Sequence, residues 1–397
     1  MIQRKEYLEQ LLSFKDKHLI KVVMGIRRCG KSTLLELFRD ELIKSGVSEE
    51  QITVINFEDA DNEYLLDRKT LYAYIKNRLL PDKKNYIILD EIQHVDEWQR
   101  VVDGLFIKKN NDVYITGSNA YLLSGELATL LSGRYVEIKM LPLSFAEYIS
   151  ALGNKAELSR KYNSYLLNSS FPYALELKKQ KDIRTYLDGI YNSVVLNDIV
   201  KRKKIADVSA LESVIRFMFD NIGNLNSSKS ISDALTSGGR KISTHTVDTY
   251  LEAVCESFIL YKAGRFDVKG KQYLKTGEKY YVADIGLRYY LLGSQKADMG
   301  RALENVVFLE LLRRGCDVYI GKVGNTEVDF VATDENGIAY YQVALTVRDE
   351  NTLARELRPL DSISDHNPKF LLTLDEDPEA SHNGIRQINA LDWLLNE

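Results

Sequence analysis

The first third of the chain alternates apolar runs with polar turns, a pattern typical of strands that end in loops. Residues 19–24 form one apolar run, and apolar side chains at helical spacing follow it from Leu34 to Leu42. Two further apolar runs, at residues 86–89 and 112–115, each end in polar residues. We therefore predict strands at all three positions, each presenting polar side chains where it stops.

The middle third is helical before it turns to strands. Residues 146–205 are mostly helix-forming, and three further helical segments follow between residues 207 and 258. Two strand-like stretches then flank a turn at residues 269–271. Helices followed by a β-hairpin are the plan of a winged helix, which we predict here.

The last third begins with a helical apolar pattern at residues 300–315 and continues into strands. Two strand-like runs flank the pair Asn336-Gly337, which is a strong hairpin signal. A helical run and another strand follow. Helix, strand, hairpin, helix and strand in this order are the core of the restriction-endonuclease-like fold.

These patterns predict an α/β protein in four parts. Residues 1–145 form a domain of alternating strands and helices, and residues 146–205 form a helical lid or linker. Residues 206–298 form the winged helix, and residues 299–397 form the endonuclease-like α/β domain.

Composition points to a soluble, reduced protein. Of the 397 residues, 45% are apolar and 28% are charged, as in ordinary globular proteins. No run has the roughly 18 apolar residues of a membrane helix, the N-terminus lacks a signal-peptide core, and the three cysteines are widely spaced. We expect a cytoplasmic protein with no membrane contact.

The net charge of −4 is unevenly distributed. It is +1 over residues 1–183, +4 over residues 184–298 and −9 over residues 299–397. A phosphate-binding surface is therefore expected in the middle third rather than at the C-terminal end.

The segment after the first strand fits the phosphate-loop pattern G-x-x-x-x-G-K-[ST] in its strand–loop–helix context. Its glycines let backbone N–H groups face phosphates, a lysine reaches the outer phosphates and a serine hydroxyl coordinates Mg²⁺. The predicted nucleotide-binding residues are Gly25, Ile26, Arg27, Arg28, Cys29, Gly30, Lys31, Ser32 and Thr33.

Catalytic candidates follow the later strands. Asp90 ends one strand and is expected to hold Mg²⁺ together with Ser32, while Glu91 beside it would polarise the attacking water. Arg134 follows a glycine on a predicted turn, where it would act as an arginine finger on a neighbouring subunit or form an ordinary salt bridge.

Four segments together carry a family resemblance: "GIRRCGKSTLL", "YIILDEIQ", "ITGSNA" and "LSGRYVEIKMLPLSFAEY". The chain resembles the bacterial and archaeal AAA+-superfamily ATPases that have a C-terminal domain of unknown function. The resemblance implies that residues 1–145 form an AAA-type P-loop ATPase domain with an ASCE-type parallel sheet. It also implies that the nucleotide is ATP rather than GTP and that Ser118 or Asn119 senses the γ-phosphate. It also implies a winged-helix-like middle segment.

The winged helix supplies candidates for contact with DNA. Its third helix would be the recognition helix, and its hairpin carries basic side chains suited to phosphates. Protein–protein contact is the alternative, because acidic residues make this helix less basic than a dedicated DNA reader. The candidate residues are Thr244, His245, Thr246, Lys262, Arg265, Lys269 and Lys271.

The last third resembles the PD-(D/E)xK nuclease superfamily. Glu304, Asp329 and Gln342 match its helical acid, its central Asp and its third ligand, but the lysine position two residues later is Ala344. The missing ammonium removes a group that would activate water. We predict a vestigial nuclease site, with a lysine from elsewhere, such as Lys322 or Lys369, as the open alternative.

The predicted function is therefore that of an ATPase that converts ATP and water to ADP and phosphate, using ATP and Mg²⁺. We expect a homo-oligomer, with a hexameric ring as one arrangement, that acts as a DNA-associated switch or motor. Two alternatives stay open. One is a signalling ATPase that times protein–protein contacts without DNA, and the other is an ATP-regulated, Mg²⁺-dependent nuclease, which Ala344 disfavours.

Overall fold

The structure is a computed structural model that describes residues 2–118, 133–293 and 298–396. The chain divides into two compact units. Unit 1 comprises Met1–Met140 with Glu256–Phe258, and unit 2 comprises Leu141–Cys255 with Ile259–Glu397.

Over its described residues, unit 1 contains a five-stranded sheet whose strands all run parallel. The strand order is β2-β3-β4-β1-β5, so the first strand lies between the fourth and the fifth. The three inner strands are buried along their whole length, which explains their continuous apolar sequence. The strands are β1 (Ile20–Met24), β2 (Ile52–Asn56), β3 (Asn85–Asp90), β4 (Asn111–Gly117) and β5 (Tyr135–Lys139).

Helices of unit 1 connect these strands. The second of them begins directly after the phosphate loop and buries its apolar stripe, including Leu34, Leu35 and Phe38. Asp67 caps the third, because its side chain accepts a hydrogen bond from the backbone N–H of Thr70. The helices are α1 (Lys5–Ser13), α2 (Lys31–Lys44), α3 (Arg68–Lys76) and α4 (Trp98–Phe106).

A buried ion pair ties β1 to β4 at the edge of the sheet where these strands begin. The Lys21 ammonium contacts the Asp112 carboxylate, and both side chains are fully buried. Tyr114 donates a hydrogen bond of 2.8 Å to the same carboxylate. Burial lowers the pKa of Lys21, whereas Asp112 opposes this shift.

Unit 2 begins with helices. The helix Gln180–Asn192 continues directly into a π-type helical segment, Ser193–Lys201. After it come the three helices that the sequence predicted, and a β-hairpin follows them in the chain. The helices are α5 (Phe145–Leu152), α6 (Leu158–Asn168), α7 (Gln180–Asn192), α8 (Val208–Asp220), α9 (Ser228–Ser237), α10 (Thr244–Glu256), α11 (Ile285–Leu292), α12 (Met299–Arg313), α13 (Glu350–Asp361) and α14 (Ala390–Leu395).

In the described part of unit 2, eight strands form one mixed sheet in the order β12-β13-β11-β10-β9-β8-β6-β7. Glu335 and Asn336 connect β9 to β10 as a hairpin at the predicted position, and Gly337 begins β10. The strands are β6 (Leu260–Asp267), β7 (Gln272–Val282), β8 (Asp317–Val323), β9 (Thr326–Asp334), β10 (Gly337–Val343), β11 (Lys369–Thr373), β12 (Ala380–His382) and β13 (Ile385–Asn389).

The hairpin β6–β7 differs from the expectation of a wing in a domain ending at residue 298. Strand β6 pairs in parallel with β8, so the hairpin forms one end of the large sheet. The physical reason is that the ladder with β8 satisfies backbone groups along one side of β6. Residues assigned to two different domains from the sequence thus share one sheet.

Candidate functional site

Two glycines shape the loop between β1 and α2. A Cβ at Gly25 would lie 2.1 Å from the backbone oxygen of Met140, so only glycine fits there. Gly30 has φ 104°, a left-handed conformation that favours glycine, and it precedes the first residue of α2. The loop therefore ends at a helix N-terminus, where backbone N–H groups can receive phosphate.

Lys31 lies at the start of α2 and is buried. Its Nζ donates to the carbonyl oxygen of Gly25 at 3.1 Å and lies 3.3 Å from Oε1 of Glu91. Gln93 donates to the other carboxylate oxygen of Glu91 at 2.5 Å. The predicted phosphate lysine and the predicted base are thus brought together at the carboxyl end of the sheet.

Thr116 is a site residue that the sequence analysis did not select. Its hydroxyl donates to Oδ1 of Asp90 at 2.5 Å and accepts the backbone N–H of Glu91 at 2.8 Å. One buried side chain on β4 therefore positions both acidic residues that follow β3. The Ser32 hydroxyl also hydrogen-bonds to Asp90, so the two predicted Mg²⁺ ligands are adjacent.

Electrostatics differ between the two acidic residues. Burial raises the pKa of Asp90, although its hydrogen bonds from Thr116 and Ser32 oppose the shift. Burial also acts to raise the pKa of Glu91, but the neighbouring Lys31 ammonium and the Gln93 amide outweigh it and the pKa is lowered. Glu91 is therefore held as a carboxylate, the form that can accept a proton.

The remaining loop residues divide by exposure. Ile26 and Cys29 are buried under the loop, whereas Arg28 and Ser32 are exposed and Thr33 is half-buried.

A group of possible metal ligands lies beside the loop. Arg27 donates to Glu58 at 2.8 Å. One ligand atom each of Glu58, Glu91 and His94 lie within 4.8 Å of one another. Arg27 and Lys31 already neutralise the two carboxylates, so this group does not require a metal.

Only one of the two candidate γ-phosphate sensors, Ser118, is among the described residues. Ser118 follows β4 and is buried, and its hydroxyl has no hydrogen-bond partner among the described residues. Asn119 lies outside the described residues.

The finger candidate Arg134 forms an ion pair within unit 1. Its guanidinium lies 2.8 Å from Oδ1 of Asp103, and its side chain is 48% exposed. This contact matches the alternative of a salt bridge within the chain, and action on a neighbouring subunit stays a prediction.

Candidates for DNA contact lie on α10 and on the β6–β7 hairpin. Thr244 and His245 are exposed in the first turn of α10, and Thr246 is half-buried, with its backbone N–H bonded to the Ser243 hydroxyl at 3.1 Å. Lys262 pairs with Glu278 at 3.0 Å.

The other hairpin candidates differ in exposure. Lys269 and Lys271 are exposed at the turn, while Arg265 is half-buried. Two turn lysines are thus available at the surface, whereas Lys262 is partly neutralised.

The predicted vestigial nuclease residues do meet, and a lysine lies among them. Nζ of Lys279, on β7, lies 3.1 Å from Glu304, 2.8 Å from Glu327 and 3.9 Å from Asp329. Burial lowers the pKa of Lys279, but these three carboxylates outweigh it and raise the pKa above its usual value. Of the two lysines suggested from the sequence, Lys369 donates to the carbonyl oxygen of Ile363 rather than to this cluster.

Gln342 completes this cluster from β10. Its amide oxygen accepts the backbone N–H of Asp329 at 3.3 Å, and its amide nitrogen donates to Glu356 at 2.9 Å. Ala344 packs at the margin of an apolar cluster, which no charged group could join without cost. An ammonium thus lies among these acidic side chains, and it comes from β7 rather than from position 344.

Comparison with known proteins agrees with the geometry of unit 1. Residues 17–149 match the family described as "AAA domain", and residues 159–298 match the family described as "Domain of unknown function (DUF8612)". Together with the loop, Lys31 and the two acidic residues, the first match defines a nucleotide-binding P-loop ATPase domain of the AAA type.

Two relatives show the family. An uncharacterized protein of Haemophilus influenzae is 42% identical over 399 residues, covering 100% of this chain and 99% of that protein. One of Methanocaldococcus jannaschii is 32% identical over 344 residues, covering 80% of this chain and 73% of that protein. The chain belongs to the family of these two proteins.

A solved structure, that of a Walker-type ATPase of Pyrococcus abyssi, is similar over 73% of this chain and 96% of that one, with a TM-score of 0.49 and 14% identity. Similarity at this level supports no conclusion about function. Within the described ranges, no helix is long and apolar enough to cross a membrane.

Proposed function

We propose that the protein hydrolyses ATP in a Mg²⁺-dependent reaction at the carboxyl end of the unit 1 sheet. The observation that carries the proposal is the placement of Glu91: its carboxylate is buried and ionised, and it lies beside the phosphate lysine. This is the position and the charge state needed by a group that accepts a proton from the attacking water.

The residues around Asp90 fit a magnesium ion. A carboxylate and the Ser32 hydroxyl are adjacent oxygen donors, the ligand type that Mg²⁺ prefers. The ion, when bound, would neutralise phosphate charge as the terminal phosphoryl group is transferred.

Lys31 would exchange partners during the cycle. Its ammonium contacts the Gly25 carbonyl and Glu91, and phosphate oxygens are stronger partners for it than either. Binding of ATP would then draw the ammonium onto the phosphates and leave the Glu91 carboxylate to the water. Thr116 would hold both acidic residues in place throughout.

We propose further that the protein works as a homo-oligomer associated with DNA. Arg134 supports the proposal of a homo-oligomer. Its half-exposed ion pair with Asp103 contributes at most about 1 kcal/mol to stability, so the guanidinium could exchange Asp103 for a nucleotide phosphate bound to a neighbouring subunit. The exposed lysines at the hairpin turn support the association with DNA.

The experiment separates binding from hydrolysis. Glu91→Gln keeps the size of the side chain but removes its basicity, so it should bind ATP with wild-type affinity and release phosphate at least about 100-fold more slowly. Glu36→Gln is the matched control, because Glu36 is an exposed acidic residue of α2 that has no part in the proposed site, and it should retain turnover. Equal turnover by Glu91→Gln and the wild type would refute the assignment of the base.

One rival is a signalling ATPase that never contacts DNA. Stimulation of turnover by DNA, and duplex binding that weakens as salt rises, would exclude it. A nuclease is the second rival, and the Lys279 ammonium among three carboxylates is the observation that favours it. It requires Mg²⁺-dependent DNA cleavage that Asp329→Ala abolishes.

A further inference from the structure

A group of basic side chains lies at the edge of the unit 1 sheet opposite the phosphate loop. Strands β3 and β4 begin there, at Asn85 and Asn111, and end at the catalytic edge. The basic residues come from the last residue of α3, from the loop that follows it and from the loop before β4. We call this group the basic edge; it comprises Lys76, Arg78, Lys83, Lys84, Lys108 and Lys109.

The two loops are fixed to each other and to the strands by asparagine side chains. The Asn85 amide bonds to both backbone groups of Leu80, at 2.8 and 3.1 Å. Asn110 donates to the carbonyl of Pro81 at 2.9 Å, which joins one loop to the other. The lysines are therefore presented by a backbone that is already ordered, which lowers the entropic cost of binding a partner.

The charge of the basic edge is not neutralised within the part of the chain that the structure describes. None of its six side chains forms an ion pair with a carboxylate there. Asp82 is the acidic residue within the first loop, and it is exposed. Lys84 also acts to lower the pKa of the buried Lys21, a sign of like-charge repulsion at this edge.

A cavity of about 410 Å³ opens between the two loops. Lys76, Lys108 and Lys109 line it together with aliphatic and asparagine side chains. No aromatic ring is among its described lining residues, and the rings of Tyr74 and Tyr72 beside it lie under Arg78 and Lys108. The cavity itself therefore offers no platform on which unpaired bases could stack. Ammonium groups around an open cavity suit a continuous row of phosphates instead.

We propose that the basic edge binds the sugar-phosphate backbone of double-stranded DNA. This proposal rests on the DNA association in the proposed function and gives it a place distinct from the hairpin lysines. It also puts DNA and ATP at opposite ends of the same strands. Strand β3, with its six residues, separates the two edges by about 20 Å.

The test measures fluorescence anisotropy of the full chain with a labelled duplex oligonucleotide over a range of salt concentrations. The variant is Lys76→Glu/Lys108→Glu/Lys109→Glu. The matched control, Lys178→Glu/Lys179→Glu/Lys181→Glu, makes the same charge change at exposed lysines of unit 2. A second comparison uses the hairpin variant Lys262→Glu/Lys269→Glu/Lys271→Glu.

We expect the basic-edge variant to bind the duplex at least about tenfold more weakly and to lose about 2–3 units of the slope of log K against log salt. The unit 2 control should keep the wild-type affinity, and the hairpin variant should lose less affinity than the basic-edge variant. A Lys→Gln version of the basic-edge variant should show a smaller loss, and unchanged ATP turnover by both versions would show that unit 1 is folded.

Three results would overturn the proposal. If only the hairpin variant lost affinity for the duplex, the proposed association with DNA would stand, but the contact would lie at the hairpin rather than at the basic edge. Tighter binding to a single-stranded oligonucleotide, or to phosphatidylserine vesicles, than to the duplex would identify a different partner. If the wild type bound no DNA, both DNA proposals would be wrong. The proposal of ATP hydrolysis would be unaffected, because the Glu91→Gln variant tests it separately.

Discussion

Replacing Thr116 by valine removes one hydroxyl while keeping the shape of the side chain, and it tests whether this residue positions the catalytic pair. The hydroxyl makes two hydrogen bonds, to Oδ1 of Asp90 at 2.5 Å and from the N–H of Glu91 at 2.8 Å. A hydrogen bond to a charged group contributes about 1.5–3 kcal/mol. If that contribution acts on the transition state, kcat falls roughly 10- to 150-fold.

The assay is steady-state phosphate release over a range of ATP concentrations, together with binding of a fluorescent nucleotide. We expect Thr116→Val to lower kcat with little change in nucleotide affinity, because the phosphate loop does not contact Thr116 in the described hydrogen bonds. Thr116→Ser retains the hydroxyl and should recover most of the rate. A valine variant with wild-type kcat, or a serine variant as slow as valine, would refute the reasoning.

Two further predictions concern unit 2, whose unfolding in urea can be followed by Trp393 fluorescence in a Trp98→Phe background. Lys279→Met leaves the acidic side chains of Glu304, Glu327 and Asp329 without their cation and should lower the free energy of unfolding by about 3–5 kcal/mol. Lys262→Met at an exposed ion pair should lower it by less than about 1 kcal/mol, and equal losses would contradict the buried cluster. Burial and the Glu304 charge raise the pKa of Asp329 to about 8, so the folded chain keeps a proton that the unfolded chain releases above its ordinary pKa of 3.8. Wild-type stability should therefore fall as the pH rises from about 4 to about 8, and Asp329→Asn should flatten that slope; an unchanged slope would contradict the assignment.

The nucleotide site was predictable because its residues are adjacent in the chain. The loop from Gly25 to Thr33 and the pair Asp90-Glu91 each form one run, and local geometry alone places them. Thr116 was missed because its role depends on β4 lying beside β3. The available signal was the position of Thr116, a polar residue directly after the apolar stretch at residues 113–115 of β4.

Lys279 was missed for a different reason. The sequence suggested lysines of the same predicted domain as Ala344, whereas Lys279 lies on a hairpin assigned to another domain. Parallel pairing of β6 with β8 brings that hairpin into the sheet, and no short-range pattern predicts this pairing. A lysine directly before the buried pair Tyr280-Tyr281 did indicate that its charge must have a partner.

The basic edge shows a limit of counting charge along the chain. Residues 1–183 have a net charge of only +1, so the first third gave no sign of a phosphate-binding surface. The end of α3 and the loop before β4, which are separated in the chain by β3 and α4, supply the lysines that line one cavity. Strand order, which the net charge does not contain, decides which charges become neighbours.

Phosphate release from ATP by the wild type and by Lys31→Ala tests the central claim most directly. The ammonium of Lys31 is buried at the phosphate loop and contacts the proposed base, so its removal should abolish turnover and weaken ATP binding. The account predicts Mg²⁺-dependent turnover by the wild type and none by Lys31→Ala. Equal rates for the two proteins would contradict it.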